Sequence, residues 1–345
     1  MRDTVAAALE TLAAGKGLTT SESRSVVASM LDGEISDVLA GTFLTALHNK
    51  GETSDELAGA VAAVRERMIR WEGESSHRIV LDTCGTGGDG AGTVNLSTAA
   101  AIVVAACGVK VIKHGNRAAS GVSGSSDVLR ALGLAVELEP VVADRCLAEL
   151  NIVFLFAPKF HPGLVRLAPV RRQLGFRTIF NLIGPLCNPA SPTHQLVGVP
   201  DNRQAELVAQ VLGRHDHIVR AAVVTGSDGL DEVTLAGPTA VRIIERGQVT
   251  AGVWRPEDFG LKRQGPESLA VRDAHESAHK IMAAFAGEKG GVRDYLLANS
   301  AAALWVAGRP SLRDAMAEAE AAINSGGASK LLARWKQLAP APRDV

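Results

Sequence analysis

Aromatic side chains are scarce in this 345-residue chain, with eight Phe, four Trp and one Tyr, 4% in all. Stacking platforms of the kind that hold single-stranded nucleic acid have little material here. Cysteine is scarcer. Cys84, Cys107, Cys146 and Cys187 show no Cys-x-x-Cys spacing, which excludes a zinc ribbon or a disulfide framework and fits a reducing cytoplasm. No stretch reaches the ~18 uninterrupted apolar residues of a membrane span. The opening residues, with Asp3 and Glu10 around a short apolar run, do not read as a signal peptide. A soluble, cytoplasmic protein without a membrane or nucleic-acid partner is expected. Net charge is also lacking: 36 Lys and Arg balance 37 Asp and Glu to give -1. That excludes a strongly basic polyanion binder or an acidic disordered chain on bulk charge.

The balance hides a local absence. No acid occurs between Asp89 and Asp127, while Lys110, Lys113 and Arg117 do. None occurs between Glu149 and Asp201, where Lys159, Arg166, Arg171, Arg172 and Arg177 fall. An apolar core that avoids charge would avoid both signs, so these windows point to anion binding.

What the chain has in quantity is glycine (35 residues) and hydrophobic residues (46%), enough for a large core and, at ~150 residues per domain, roughly two domains. Residues 1 to about 70 read as helices only. Thr19 with Glu22 and Thr53 with Glu56 fit capping boxes, in which hydroxyl and carboxylate satisfy orphan N–H groups reciprocally. Leu57, Val61, Val64 and Met68 follow at helical spacing, and Gly33 and Gly51 stand at expected helix ends. Residues 71–76 are polar and aperiodic and read as a linker. From His77 short apolar runs alternate with helices. Strands are expected at 79–81, 109–112, 153–156, 195–199 and 221–224, helices at 97–107 and 126–132, and a mainly helical tail from about 268. Such alternation predicts an α/β domain with a mostly parallel sheet.

After the first strand come Gly85, Gly87, Gly88, Gly90 and Gly92, then Ser97 and Thr98 at a helix start. Glycines let the backbone approach a ligand and turn its N–H groups toward an anion, which a helix N-terminus also favours. Gly85, Gly87 and Gly90 match G-x-G-x-x-G, but the helix starts late and Lys110 and Lys113 stand where a dinucleotide site needs an acid. No Gly-Lys-Ser/Thr follows either, so the loop is a phosphate loop of another kind. His275-Glu276-Ser277-Ala278-His279 is a literal H-E-x-x-H. Its helix has an apolar stripe of Ala274, Ala278, Ile281, Met282 and Phe285, which turns both histidines to a solvated face, against a zinc protease. Lys113, His114, Asn116 and Arg117, followed by Gly and Ser, form a polyanion cradle at a strand end. His114 alone is as well explained by a structural role. Asp231 and Glu232 follow a strand, and adjacent carboxylates beside phosphate loops can hold Mg²⁺.

Taken together, GTGGDGAGTVNLST (85–98), KHGNRAASGVSGSSDVLRALG (113–133), FHPGLVRLAPVRRQLGFRTIFNLIGPLCNPA (160–190) and DGLDEVT (228–234) resemble the anthranilate phosphoribosyltransferases, over nearly the whole chain. The resemblance implies an N-terminal helical domain over 1–72, completed by helices from about 163–178. It also implies an α/β domain over 77–345 of the nucleoside phosphorylase and phosphoribosyltransferase type, and a homodimer. The implied reaction joins anthranilate to phosphoribosyl pyrophosphate and releases pyrophosphate, in tryptophan biosynthesis. By position, Gly85, Gly88, Asp89, Thr93, Asn95, Leu96, Ser97 and Thr98 would hold phosphoribosyl pyrophosphate. Lys113, His114, Gly115, Asn116, Arg117, Ala118, Ala119, Ser120 and Gly121, with Ser125, would complete that cradle. Gly85, Asn116 and Arg171 would contact anthranilate, with Ala157, Pro158 and His161 along its access route. Ser97, Asp231 and Glu232 would bind Mg²⁺, and no catalytic acid or base is assigned beyond His114 as a weak candidate. Gly121 stands where the family usually has Ser, removing a hydroxyl contact. Gly163 and Leu164 replace larger side chains, which widens the aromatic channel. A pyrimidine nucleoside phosphorylase and a non-catalytic nucleic-acid-binding paralogue are the alternatives.

Overall fold

Local sequence signals build the first quarter of the chain as four helices: α1 (Arg2–Ala13), α2 (Thr20–Asp32), α3 (Asp37–Lys50) and α4 (Ser54–Arg67). The computed structural model describes residues 2–73, 79–118 and 122–341. Residues 74–76 of the expected linker and His77 therefore lie outside the described residues. Both capping boxes form: Thr19 Oγ1 accepts from the Glu22 N–H at 3.3 Å, and Thr53 Oγ1 from the Glu56 N–H at 3.2 Å. Glu56 does more than cap. Its fully buried carboxylate also accepts from the Leu18 N–H at 2.9 Å and from Lys50 Nζ at 3.0 Å. One side chain thus ties α4 to α3 and to the start of α2.

The alternating region follows as β1 (Val80–Gly85), α5 (Leu96–Ala106), β2 (Lys110–Gly115), α6 (Ser125–Ala131), α7 (Pro140–Leu150) and β3 (Ile152–Phe156). Four short helices come next: α8 (Ala157–Phe160), α9 (Pro162–Arg166), α10 (Ala168–Leu174) and α11 (Phe180–Ile183). Then come β4 (His194–Gly198), α12 (Asn202–Gly213), β5 (Arg220–Gly226), β6 (Thr239–Glu245) and β7 (Gln248–Trp254). The tail is helical: α13 (Ala274–Phe285), α14 (Gly291–Val306), α15 (Leu312–Asn324) and α16 (Gly327–Leu338). The architecture is a small N-terminal helical domain beside a larger α/β domain with a mostly parallel sheet. Among the described residues no helix is long and apolar enough to cross a membrane.

The seven strands run in the order β3-β2-β1-β4-β5-β6-β7, the first five parallel and the last two antiparallel. The β6–β7 hairpin was not among the expected strands. Its turn is Arg246-Gly247 at φ +47° and +84°, the doubly left-handed geometry that hairpins favour, but reached without the usual Asn or Asp at its first position. β7 is the edge strand, with four of its seven residues exposed, and β6 beside it alternates buried and partly exposed positions, so neither carries a continuous apolar run. The apolar stripe of α13 needs a correction too. Ser277 and Ala284 are buried with Ala278, Ile281 and Phe285, whereas Met282 is exposed. His275 and His279 face solvent.

Helix α5 is apolar all round and nearly every residue of it is buried, as expected of a helix enclosed on all sides. It packs on β1 and β2 and against α14 and α16. One apolar core lies there. A second joins α1–α4 to Leu167, Val170 and Phe180, and continues to α12 and to Val197 and Val223 of the sheet.

The order 3-2-1-4-5 reverses direction between β1 and β4. Ligands of open α/β sheets bind in the crevice at such a switch, outside the carboxyl ends of the strands.

Candidate functional site at the sheet switch point

Strands β1 and β4 both end in glycine at that crevice, paired as Gly85 and Gly198. The reason is a third segment. After β5 the chain folds back so that Asp231 sits over the gap. A Cβ on Gly85 would overlap Asp231 Oδ2, and one on Gly198 would overlap the Asp231 carbonyl oxygen. Two glycines 113 positions apart thus make room for one acidic residue.

The glycine-rich loop leaves β1 with Gly87, Gly88, Gly90 and Gly92 all at positive φ, a region ordinary side chains avoid. Asp231 Oδ2 accepts from the Gly87 N–H at 2.8 Å, and Glu232 Oε1 from the Ser97 N–H at 3.2 Å at the start of α5. Burial and the neighbouring Asp89 charge push Asp231 up to about 6. Burial, with the Asp231 charge next, raises Glu232 well above the usual carboxylate range. Asn95 does not cap α5; its Oδ1 accepts from Ser123 Oγ at 2.8 Å and Ser277 Oγ at 3.2 Å.

Lys113, at the end of β2, is buried and donates to the Thr83 carbonyl and to Ser97 Oγ. Burial lowers its pKa, while the Asp82 and Glu232 charges oppose the shift. Asp82 is wholly buried, and Asn188 Nδ2 and the His114 N–H hydrogen-bond to it. Asn116 and Arg117 lie in the following turn. Asp127 closes that turn by accepting from the Ala118 and Gly124 N–H groups at 3.0 and 2.9 Å.

These segments face the short helices across a single cavity of about 560 Å³. Its far wall carries Ala157, Pro158, His161, Leu164, Arg171 and Phe180. Arg171 is half-buried, with its guanidinium 5.8 Å from the Phe180 ring centroid. His161 Nε2 lies 3.2 Å from His114 Nε2, both rings buried.

The cavity gathers most of the residues singled out from the sequence: Gly85, Gly88, Asp89, Thr93, Asn95, Ser97, Lys113, His114, Gly115, Asn116, Arg117, Ala118 and Ser125, with the far-wall group, Asp231 and Glu232. Leu96 and Thr98 are exceptions. Both are buried in the core beneath α5, and the Leu96 N–H is spent on the Val94 carbonyl at 2.7 Å. Ala119, Ser120 and Gly121 lie outside the described residues. Gly163 does not line the cavity; it makes room for Leu31 of α2, so of the two channel departures only Leu164 faces the space. The sequence reading missed Arg177 as a site residue. It donates to the Gly87 carbonyl, and its only sequence signal was its place in an acid-free window.

Burial holds both histidines neutral: His114 falls to about 3 and His161 to about 4. In the unfolded chain both titrate near the ordinary 6.5. The unfolded state therefore binds more protons below pH 6.5, and this contribution is complete above that pH and lost as pH falls toward 4. Each histidine contributes a slope of about 1.4 kcal/mol per pH unit. The raised carboxylates Asp231 and Glu232 act in the opposite sense, so the difference between variants is the useful quantity. Urea unfolding from pH 4.5 to 6.5 should show a flatter pH dependence for His161→Gln than for the parent chain. An unchanged slope would mean that His161 is not held neutral by the fold.

Comparison with known proteins agrees with this geometry. The family model described as "Glycosyl transferase family, a/b domain" matches residues 77–329, and "Glycosyl transferase family, helical bundle domain" matches 6–68. The anthranilate phosphoribosyltransferase of Methylobacterium radiotolerans is 45% identical over 327 residues, 94% of each chain. That of Moorella thermoacetica is 45% identical over 94% of this chain and 96% of its own. Among solved structures, the anthranilate phosphoribosyltransferase of Thermus thermophilus superposes with a TM-score of 0.87 at 39% identity, covering 96% of this chain and 98% of that one. The enzyme of Saccharomyces cerevisiae, solved in complex with phosphoribosyl pyrophosphate and Mg, gives 0.87 at 26% identity with 98% of both chains covered.

Proposed function

The chain belongs to the glycosyl transferase family that contains the anthranilate phosphoribosyltransferases, and from that premise we propose that it carries their reaction. It transfers the phosphoribosyl group of 5-phosphoribosyl 1-pyrophosphate to the amine of anthranilate, releasing pyrophosphate, in L-tryptophan biosynthesis. The observation that carries this reading is the cavity that sets a glycine-rich loop and an Asp-Glu pair against a half-buried arginine. A diphosphate and an aromatic acid are held on opposite walls of one space.

The loop N–H groups, the start of α5 and the turn from Lys113 through Ser125 hold phosphoribosyl pyrophosphate. Arg171 takes the anthranilate carboxylate in a forked pair of hydrogen bonds, and Asn116 and Gly85 adjoin its ring. Ala157, Pro158 and His161 wall its access route. The aryl amine is a neutral nucleophile, so positioning it in line with the C1–O bond supplies much of the rate. As the N–C1 bond forms, the C1–O bond breaks and its electron pair leaves with pyrophosphate. The loop N–H groups and Lys113 stabilise the charge that develops there. The amine proton is released afterwards. His114 is not assigned as its acceptor, because Nε2 already faces His161 and burial makes the ring a weak base.

The donor set suits a small hard cation. Asp231 and Glu232 are oxygen donors whose negative charges disfavour each other, and each spends one oxygen on a backbone N–H. Such a pair suits Mg²⁺, which uses one or two carboxylates with substrate phosphate oxygens and water. Asp231 and Glu232, with Ser97 beside them, would hold it. When bound it would neutralise the diphosphate as the leaving group departs.

In the same reading residues 1–72, completed by 163–178, form the helical domain, to which Leu164 and Arg171 of the far wall belong, and 77–345 form the domain that binds the diphosphate. The protein works in the cytoplasm as a homodimer. A pyrimidine nucleoside phosphorylase would need a pyrimidine pocket and inorganic phosphate. A nucleic-acid-binding paralogue would have no use for the Asp-Glu pair. Loss of anthranilate fluorescence with the purified chain separates the three. It should require both phosphoribosyl pyrophosphate and Mg²⁺ and stop with a chelator; no turnover under those conditions overturns the reading.

A further inference from the structure

Arg177 lies just before α11, 90 residues from the glycine-rich loop, yet its Nη1 donates to the carbonyl of Gly87. The same residue is held from its other side, where the Gly87 N–H donates to Asp231 at 2.8 Å. Gly88 lies against Nη1, Cζ and Nε of Arg177 with no room for a Cβ. The two remaining nitrogen atoms of the Nε–Nη2 edge are shut off from solvent and have no hydrogen-bond partner. That edge is the one that meets a phosphate or carboxylate with two parallel hydrogen bonds.

Each of the cavity's other cations already has a protein partner in place. Lys113 stands between Asp82 and Glu232, Arg171 faces Phe180 on the opposite wall, and Arg117 stacks toward Phe156 at 5.7 Å. Arg177 enters no ion pair among the described residues. It is an unspent charge on a loop whose other neighbours, Asp231, Glu232 and Asp89, are acidic.

We propose that Arg177 is a diphosphate-binding residue: Nη1 positions the loop at Gly87, and the Nε–Nη2 edge donates to pyrophosphate oxygens once the loop yields at Gly87 and Gly88. Those two residues have φ of +65° and +81°, and a backbone without side chains can shift there at little steric cost. The inference rests on the reading above for the identity of the diphosphate, but not on turnover.

Calorimetric titration with inorganic pyrophosphate and Mg²⁺, without anthranilate, tests it directly. Arg177→Ala should weaken pyrophosphate binding about tenfold, the size of effect expected when a charged hydrogen-bond donor is lost. It should raise the KM for phosphoribosyl pyrophosphate in step and move the anthranilate KM less than threefold. Arg177→Lys, which keeps charge but not the fork, should recover part of the loss and guards against a folding defect in the alanine variant. A merely structural arginine would change thermal stability without this split between substrates. Unchanged pyrophosphate affinity in both folded variants overturns the proposal. So does a rise in the anthranilate KM alone. If the parent chain binds pyrophosphate in an Arg177-dependent way yet does not consume anthranilate, the functional reading fails and this inference stands.

Discussion

Gly198→Ala is expected to lower kcat/KM by about two orders of magnitude, the scale at which a displacement of roughly 1 Å disrupts a reacting constellation. The substitution is benign by every local criterion. Gly198 ends strand β4, its φ is not positive, and alanine is the better strand residue there on entropy. The obstacle is tertiary: the new methyl group would overlap the Asp231 carbonyl oxygen. The segment carrying Asp231 and Glu232 cannot simply withdraw. Asn299 clamps the adjoining Val233 by accepting from its N–H at 2.9 Å and donating to its carbonyl at 3.0 Å. Asp228 is tied to Thr234 Oγ1 at 2.6 Å. The strain therefore falls on the Asp-Glu pair and on the Gly87 N–H that Asp231 holds. Overpacking of this kind also costs about 1–3 kcal/mol of stability, measurable by urea unfolding. Gly41→Ala in α3 is the control, since a Cβ there meets only ordinary contacts with Leu174 and Val170 at 3.8 Å. Full activity in Gly198→Ala with normal Mg²⁺ dependence would remove Asp231 and Glu232 from the metal site.

Arg171→Ala is expected to raise the KM for anthranilate well above tenfold with a much smaller effect on phosphoribosyl pyrophosphate. Burial lowers the Arg171 pKa, yet a guanidinium stays charged under any working condition. Its Cζ lies over the Phe180 ring at 5.8 Å, a neighbour that limits where the fork can move before the substrate arrives. A carboxylate reaching it exchanges water for two charge-assisted hydrogen bonds, each stronger than a neutral one. Arg171→Lys should recover little, because an ammonium offers a point charge and no fork. Steady-state titration of each substrate against a saturating level of the other measures both constants. If neither changes, anthranilate does not bind there.

Much of this protein is legible in its sequence. The capping boxes at Thr19 and Thr53, the alternation that makes a parallel sheet, and the glycines after β1 are local signals, and local geometry honours them. The two acid-free windows also carried meaning, since four of their eight cations, Lys113, Arg117, Arg171 and Arg177, line the cavity. Other features were not legible for definite reasons. The β6–β7 hairpin turns on Arg-Gly at a sheet edge and offers neither a familiar turn pair nor an apolar run. Gly163 looks like a widened channel in one dimension and is a helix contact in three. Thr98 belongs to a motif whose Asn95 and Ser97 line the cavity, but the helical twist of α5 turns it into the core.

Composition, charge placement and short-range periodicity determined that this chain makes a helical domain and an α/β domain with phosphate-seeking loops. Those properties depend on residues within a turn or a strand of each other. The tertiary structure alone decided that Gly85 and Gly198 both yield to Asp231, that His114 meets His161, and that Arg177 reaches back to Gly87. Each joins residues at least 33 positions apart. Their proximity arises from strand order and from packing across the switch point, and no window of sequence contains it.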